Sequence, residues 1–504
     1  MPADQKAYMD AARIKDPQKK IEALEKFIDQ FPESFAISSA HVDLLDALIK
    51  SQPENKEKIL ALADSAIQKS PSPSSSGNTA YNIASKLMKA GMLPEAEQYA
   101  QKSISSTDEF ISQMVKDVQK QKARPLSILG QVYLKQGKLK EAEQNLKAAF
   151  AINPQEADVA TSLAEMAEKK GKEKEALEYL LAAGRLKAAE REKLESFWRK
   201  AHGGSIDGLE AELDARYHKE YAGLVPVTRY QQTAKRSGRA VLAEVFTGSA
   251  CPPCVAADLG FDAMLERYSR QELIIVMYHQ HIPGPDPMTN QASQARFKYY
   301  GGGGVPSYNI DGLALQSGGG AKDATKSFYQ RVNPTIERRL EVEAEANLKL
   351  DASLDNGVIK VAAKVGLDKK ETGATYKLQV LLVEEMLRYQ GENGIRLHPM
   401  VVRAVGGFMD IGFALDPAKS DLAKGETVNM SFDLAAITAA LKKNTEDFEA
   451  SRSKDRDEPF VFSERKHEIN SNNLSIVAFV QDQKSKKVLQ ATTVKLNGKG
   501  VAMK

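Results

Sequence analysis

A spacing of 34 residues governs the N-terminal part of this chain. Leu129-Gly130, Tyr133, Gly137, Ala142, Leu146 and Ala149, closed by Pro154, are matched 34 positions later. The matching residues are Leu163-Ala164, Ala167, Gly171, Ala176, Leu180 and Ala183. An earlier copy reads Ala84, Leu87, Gly91, Ala96, Ala100 and Ser103, set off by an insertion around Phe110–Arg124. A fixed period of this length marks stacked units, because one unit alone cannot bury its apolar face. Alanine, leucine, lysine and glutamate dominate from about residue 8 to 220, with proline and glycine between the periodic runs. The unit is therefore helical. Segments 21–31, 41–50 and 57–69 extend the same solenoid, and Ser70–Gly77 (SPSPSSSG) reads as a flexible connector inside it. Nearly every periodic leucine and alanine is expected in the core. Trp198 is expected to pack at the end of the last helix.

The spacing resembles the tetratricopeptide repeat, most specifically in the two central copies. The resemblance implies an arm over residues 1–222 whose concave surface receives a peptide or protein partner, the other reading being a spacer.

The cysteines come next in weight. Of 504 residues only Cys251 and Cys254 are cysteine. A disulfide-stapled scaffold and a four-cysteine zinc site within one chain are both excluded. Any cysteine chemistry belongs to this CxxC. Bulk charge points the same way: 70 basic against 67 acidic side chains leave +3, too near neutral to imply a nucleic-acid or membrane-surface protein, and no nucleic-acid partner is expected. No apolar run reaches the roughly 18–20 residues that span a bilayer.

Around the CxxC the pattern changes to strands alternating with helices, as in a sheet covered by helices. A strand (240–246) runs into ACPPC, then a helix (about 255–268), a strand (273–278), a polar loop and a helix (about 290–300). The glycines 301–304 and Val305-Pro306 lead into SYNIDG, and a helix covers about 323–340. A CxxC at a helix start brings two sulfurs within disulfide range. It also sets the first sulfur at the positive end of the helix dipole, beside unpaired amides that favour thiolate. Pro252 and Pro253 suit a first helical turn. A proline held cis at 306 would leave the backbone of Val305 free to pair with an extended substrate. No GKS or GKT follows the glycine run, so it is no phosphate cradle.

ACPPC after an apolar strand, with GVPSYNIDG some fifty residues on, resembles the thioredoxin superfamily, nearer its exported disulfide-handling members. The resemblance implies a thioredoxin-like domain over 223–340. It implies Cys251 as nucleophile, Cys254 as resolving thiol, Pro306 as the cis-proline and Val305 as a substrate-binding residue. Its substrate is a protein or peptide thiol or disulfide, and the dithiol is itself the redox group, with no organic cofactor. Two positions depart from the family. Val245 stands where many members carry a buried acid, and Ala250 replaces an aromatic. Glu244 is expected to have a structural partner, such as the basic linker Arg229, Lys235, Arg236 and Arg239, itself read as a solvated connector. A low-ranking alternative makes Cys251, Cys254, His279 and His281 a copper or zinc site. Hydrogen-bonding loop histidines are the favoured reading, with Pro283–Pro287 shaping one wall. His398 and Arg403 read as packing residues.

From 341 to 504 strands are expected at 342–352, 357–366, 375–385, 399–405, 426–434, 474–482 and 487–495. That pattern suggests an all-β sandwich of immunoglobulin-like type. The charge-rich stretch 442–458 reads as a solvated helix or loop. The expected protein is multidomain: an all-α helical-repeat solenoid, an α/β thioredoxin-like domain and a β-sandwich. Its expected activity is thiol–disulfide exchange. The rival is an interaction scaffold whose CxxC senses redox state or holds a metal. The N-terminus lacks the apolar core of a secretory signal, which favours the cytoplasm, but it reads like a mature terminus. With the domain partnership, that points to the periplasm or cell envelope.

Overall fold

The computed structural model describes residues 2–112, 119–183, 186, 188–368, 374–407, 412–416, 419, 424–454 and 459–496. The repeat region is helical: α1 (Ala3–Ala12), α2 (Pro17–Gln30), α3 (Ile37–Ser51), α4 (Lys56–Gln68), α5 (Pro73–Lys89), α6 (Leu93–Ser112), α7 (Ala123–Lys135), α8 (Leu139–Ile152), α9 (Ala157–Lys169), α10 (Glu173–Ala182) and α11 (Ala188–Ala201). Part of the insertion around 110–124 lies outside the described residues. Gly91, Gly137 and Gly171 hold the same repeat position and adopt φ of 78°, 76° and 70°. Each reverses the chain between the two helices of a pair, a conformation that costs glycine little. A Cβ on Gly130 would lie 2.7 Å from Leu146 Cγ, so the small residue there lets α7 and α8 approach closely. SPSPSSSG is not a connector: Ser72 caps α5 by accepting from Ser75 N, and Pro73 takes the first helical turn. Trp198 is buried, stacks on His202 and donates to Asp207 O at 3.1 Å.

These helices form one compact unit, Met1–Leu209, and Glu210–Lys504 forms a second. The expected boundary at 340 and 341 lies inside that second unit. The second unit begins on α12 (Leu209–Tyr221) and contains β1 (Val241–Thr247), α13 (Cys254–Arg267), β2 (Leu273–His279), α14 (Gln291–Tyr299), β3 (Ser307–Ile310), β4 (Gln316–Ser317) and α15 (Thr325–Leu340). β5 (Ala346–Asp355), β6 (Val358–Leu367), β7 (Tyr376–Arg388), β8 (Leu397–Val405), β9 (Phe413–Ala414), β10 (Glu426–Asp433), α16 (Leu434–Ser453), β11 (Leu474–Asp482) and β12 (Val488–Leu496) follow.

One sheet has the order β12-β11-β7-β8-β2-β1-β3-β4, with β9 beside β7; a smaller one is β10-β6-β5. β1 pairs in parallel with β2 and antiparallel with β3. β8 joins β2 in parallel through Met277 and Val401. The expected sandwich over 341–504 is therefore not a separate domain, because five of its strands, β7, β8, β9, β11 and β12, extend the sheet that carries the CxxC. β5, β6 and β10 make the second layer. Val361, Ala363 and Val365 share a core there with Leu378, Val380, Ile476 and Ala478. Alternation along β1 sorts the other faces. Val241, Ala243 and Val245 pack with Phe261, Met264, Phe328 and Val332 of α13 and α15. Leu242 and Phe246 pack with Phe297 of α14 and with Leu381, Val402 and Phe479. The described part of 442–458 is the end of α16; residues 455–458 lie outside the described residues. Among the described residues no helix is long and apolar enough to cross a membrane.

Two buried ion clusters fix this sheet, and both correct the sequence reading. Glu244 does not meet the basic linker. Its Oε1 accepts from Arg296 Nε at 2.6 Å and Tyr278 at 3.0 Å; its Oε2 accepts from Arg296 Nη2 at 2.9 Å and Tyr300 at 2.5 Å. Arg239 is no solvated connector: it is fully buried. It donates to the carbonyls of Val342, Glu343 and Val488 at 3.1, 2.8 and 3.0 Å, and pairs with Asp311 at 3.4 Å.

Candidate functional site

The strongest chemical feature lies between β1 and α13. Cys251 and Cys254 form a disulfide with a Cα–Cα distance of 5.3 Å. The tight turn comes from Gly248, whose place a Cβ could not share with Ile282 O, 2.3 Å away. Cys251 N donates to Gly248 O at 3.0 Å. The helix-start amides are not free, contrary to expectation. Pro252 and Pro253 have none, Cys254 N donates to Cys251 O at 3.1 Å, and Val255 N donates to Pro252 O at 3.4 Å. Ala256 N donates to Gly320 O at 3.0 Å. Any stabilisation of a thiolate at Cys251 comes from the helix dipole and not from open donors.

Two loops close over the disulfide. From one side, Val305 O lies 3.7 Å from Cys251 Sγ, which as a disulfide sulfur has no proton to donate. The Val305–Pro306 bond is cis, and Pro306 is buried. Gly319 sits so close that a Cβ would come within 2.0 Å of Pro253 O and 2.7 Å of Pro306 Cγ. From the other side comes the β7–β8 hairpin tip. Asn393 Nδ2 donates to Gly248 O and Cys251 O, each at 3.3 Å, and Asn393 N donates to Ser249 O at 3.0 Å. Cys251 is left 1% exposed and Cys254 fully buried. The structure thus brings Cys251, Cys254, Val305 and Pro306 together and adds Asn393, for which the sequence carries no signal.

The histidines belong to the supporting wall. His279 Nδ1 lies 2.8 Å from Asp286 Oδ2, which also accepts from Ser249 N at 2.7 Å. Asp286 Oδ1 accepts from Met288 N at 2.8 Å. Burial alone would raise this carboxyl, but His279 and the two amides hold it at about 2. His281 Nδ1 accepts from Asp286 N at 3.0 Å, and its ring stacks on Phe448. Burial lowers His281 to about 4. His398, 2.9 Å from Tyr389 O and edge-on to His279, is held at about 3 by burial and by His279. Arg403 packs buried beside Glu384 and donates to Lys466 O. Among the described residues no group of three or more His, Cys, Asp or Glu is placed to hold a metal ion.

Two carboxyls escaped the sequence reading. Asp258 is 4% exposed; its Oδ2 accepts from Thr247 Oγ1 at 2.9 Å, and its Oδ1 has no hydrogen-bond partner. Burial pushes it well above the usual carboxylate range. Asp262, one turn on, is held at about 7, mainly by burial. The signal was present: both are acids on the apolar helix CVAADLGFDAMLER.

No protein-family model and no curated protein matches the chain. Among solved structures it is similar to HBP35 of Porphyromonas gingivalis, with 16% identity over 53% of this chain and 80% of that one, at a TM-score of 0.36. PilF of Pseudomonas aeruginosa gives 16% identity over 44% and 95%, at 0.30. A putative kinesin light chain of Podosopora anserina with TPR-like repeats gives 15% over 40% and 94%, at 0.28. At these scores the likenesses carry no functional argument.

Proposed function

We propose that this protein is a thiol–disulfide oxidoreductase of thioredoxin-like architecture, acting on protein or peptide substrates through Cys251. The observation that carries the reading is the disulfide at the start of α13 with the Val305 carbonyl against Cys251 Sγ. The strand order β2-β1-β3-β4, with α13 and α15 on one face, supports it. In the oxidising direction a substrate thiolate attacks Cys251 Sγ and Cys254 leaves, and a second substrate thiol then attacks the substrate sulfur of the mixed disulfide so that Cys251 leaves; in the reducing direction Cys251 attacks a substrate disulfide and Cys254 resolves the mixed disulfide. An extended substrate lies along Val305. The repeat arm recruits a protein partner, and the disulfide suits an oxidising compartment such as the periplasm or cell envelope.

The burial of both sulfurs favours one second reading, a scaffold whose disulfide senses redox state. Insulin reduction driven by dithiothreitol separates the two. Exchange predicts acceleration by the wild type and none by Cys251→Ser; equal rates for the two proteins reject it.

A further inference from the structure

Polar side chains run in one row down α13. Cys254 opens the helix, and Asp258, Asp262 and Glu266 follow at steps of four. Residues so spaced stack on one face with Cβ atoms about 5–6 Å apart. Cys254 is fully buried, Asp258 nearly so, Asp262 part-buried and Glu266 exposed. The row therefore leads from the inner sulfur to the surface. Asp258 Oδ1 and Asp262 Oδ1 are both buried without a hydrogen-bond partner. A buried, unpaired carboxyl is costly unless it carries a proton.

Among the described residues, the groups that act on these two carboxyls include no cation. β1 presents Thr247, and the loop after β2 presents Asp286. α12 presents Tyr217, whose hydroxyl feels both carboxyls. Beyond Asp262 the charged neighbour is Glu266. Burial and like charge thus push Asp258 well above the usual carboxylate range in the disulfide form and hold Asp262 at about 7.

We propose that Asp258 is the proton-transfer group for Cys254 and that Asp262 and Glu266 connect it to solvent. The inference rests on the exchange reading above. When a substrate thiolate attacks Cys251, the Cys251–Cys254 bond breaks and its electron pair leaves on the Cys254 sulfur. Protonated Asp258 gives that sulfur its proton. In the return step Cys254 gives the proton back to the Asp258 carboxylate as its sulfur attacks the mixed disulfide. The substrate thiolate then leaves with the electron pair. While Cys254 holds the proton Asp258 remains a carboxylate, and Asp262 and Glu266 carry the exchange of that proton with solvent.

Two measurements test this on the full chain. The first is the pH profile of disulfide reduction by dithiothreitol, read by alkylation and mass spectrometry. Asp258→Asn, whose amide oxygen still accepts from Thr247, should slow reduction at pH 7 by about 100-fold. Asp262→Asn should remove the inflection near pH 7. An unchanged profile in both overturns the proposal. The second is the infrared difference spectrum on chemical reduction. The wild type should lose a protonated-carboxyl band that Asp258→Asn lacks; no such band, or one that survives the substitution, overturns it. If Asp258→Asn fails to fold, the Asp262→Asn profile decides. A wild type that shows the band but reduces no protein disulfide sinks the exchange reading and leaves the relay standing. A wild type that exchanges while Asp258→Asn keeps its profile sinks the relay alone.

Discussion

Replacing Arg296 with methionine should strip Glu244 of its cation inside the sheet. Glu244 has no exposure, and Arg296 supplies two of its four hydrogen bonds, at 2.6 and 2.9 Å. The remaining donors are the hydroxyls of Tyr278 and Tyr300. An uncompensated buried charge costs about 3–5 kcal/mol. With m of about 3 kcal/mol per M for a unit this size, the urea midpoint should fall by about 1–1.7 M. The readout is hydrogen exchange by mass spectrometry on β1, β2 and β3 peptides across a urea series, which follows the second unit alone. Adding Glu244→Gln to Arg296→Met should recover part of the loss, because the stranded charge is then gone. A single-variant loss below about 1 kcal/mol, or a double variant weaker than Arg296→Met, refutes the reasoning.

Four further outcomes follow from the structure. Asn393→Ala removes both side-chain bonds to the CxxC turn and should quicken dithiothreitol reduction of the disulfide several-fold; an unaltered rate means the hairpin tip does not cover the sulfurs. His281 and Asp262 give pH dependences of opposite sign. His281 is depressed to about 4, so its contribution is full above about 6.5 and is lost as pH falls toward 4. His281→Gln should therefore reduce the stability lost between pH 7 and 5 by about 2 kcal/mol. Asp262 is raised to about 7, so its contribution is full below about 4 and is lost as pH rises through 7. Asp262→Asn should stabilise at pH 8 and change little at pH 4, and equal urea midpoints at pH 8 contradict this. Finally, residues 1–209 expressed alone should give a helical circular dichroism spectrum, since that unit has its own core; a coil spectrum refutes it.

Local pattern carried much of the fold. Alternation in SIVAFVQ placed β11 at its observed bounds, and the recurrent glycines marked the turns of the helix pairs. Pairing between distant strands was not legible: β8 reaches β2 through Met277 and Val401, and neither sequence names the other. Arg239 illustrates the same gap. A basic residue in a polar stretch reads as solvated until Asp311 and three carbonyls converge on it. Ser72-Pro73 carried a legible capping signal inside a run whose composition suggested a connector. At the site, Cys251, Cys254 and Pro306 stand out by motif, and Asp258 by its place on an apolar helix. Asn393 does not, because it is brought 142 residues along the chain to Cys251.

The central claim is attack through Cys251, and trapping tests it most directly. Cys254→Ser should be incubated, folded and at neutral pH, with a disulfide-bonded peptide, and the products mapped by mass spectrometry. The account predicts a mixed disulfide on Cys251 that accumulates because no resolving thiol remains, and that dithiothreitol releases. Folded Cys254→Ser that forms no adduct, while its denatured form does, would contradict it.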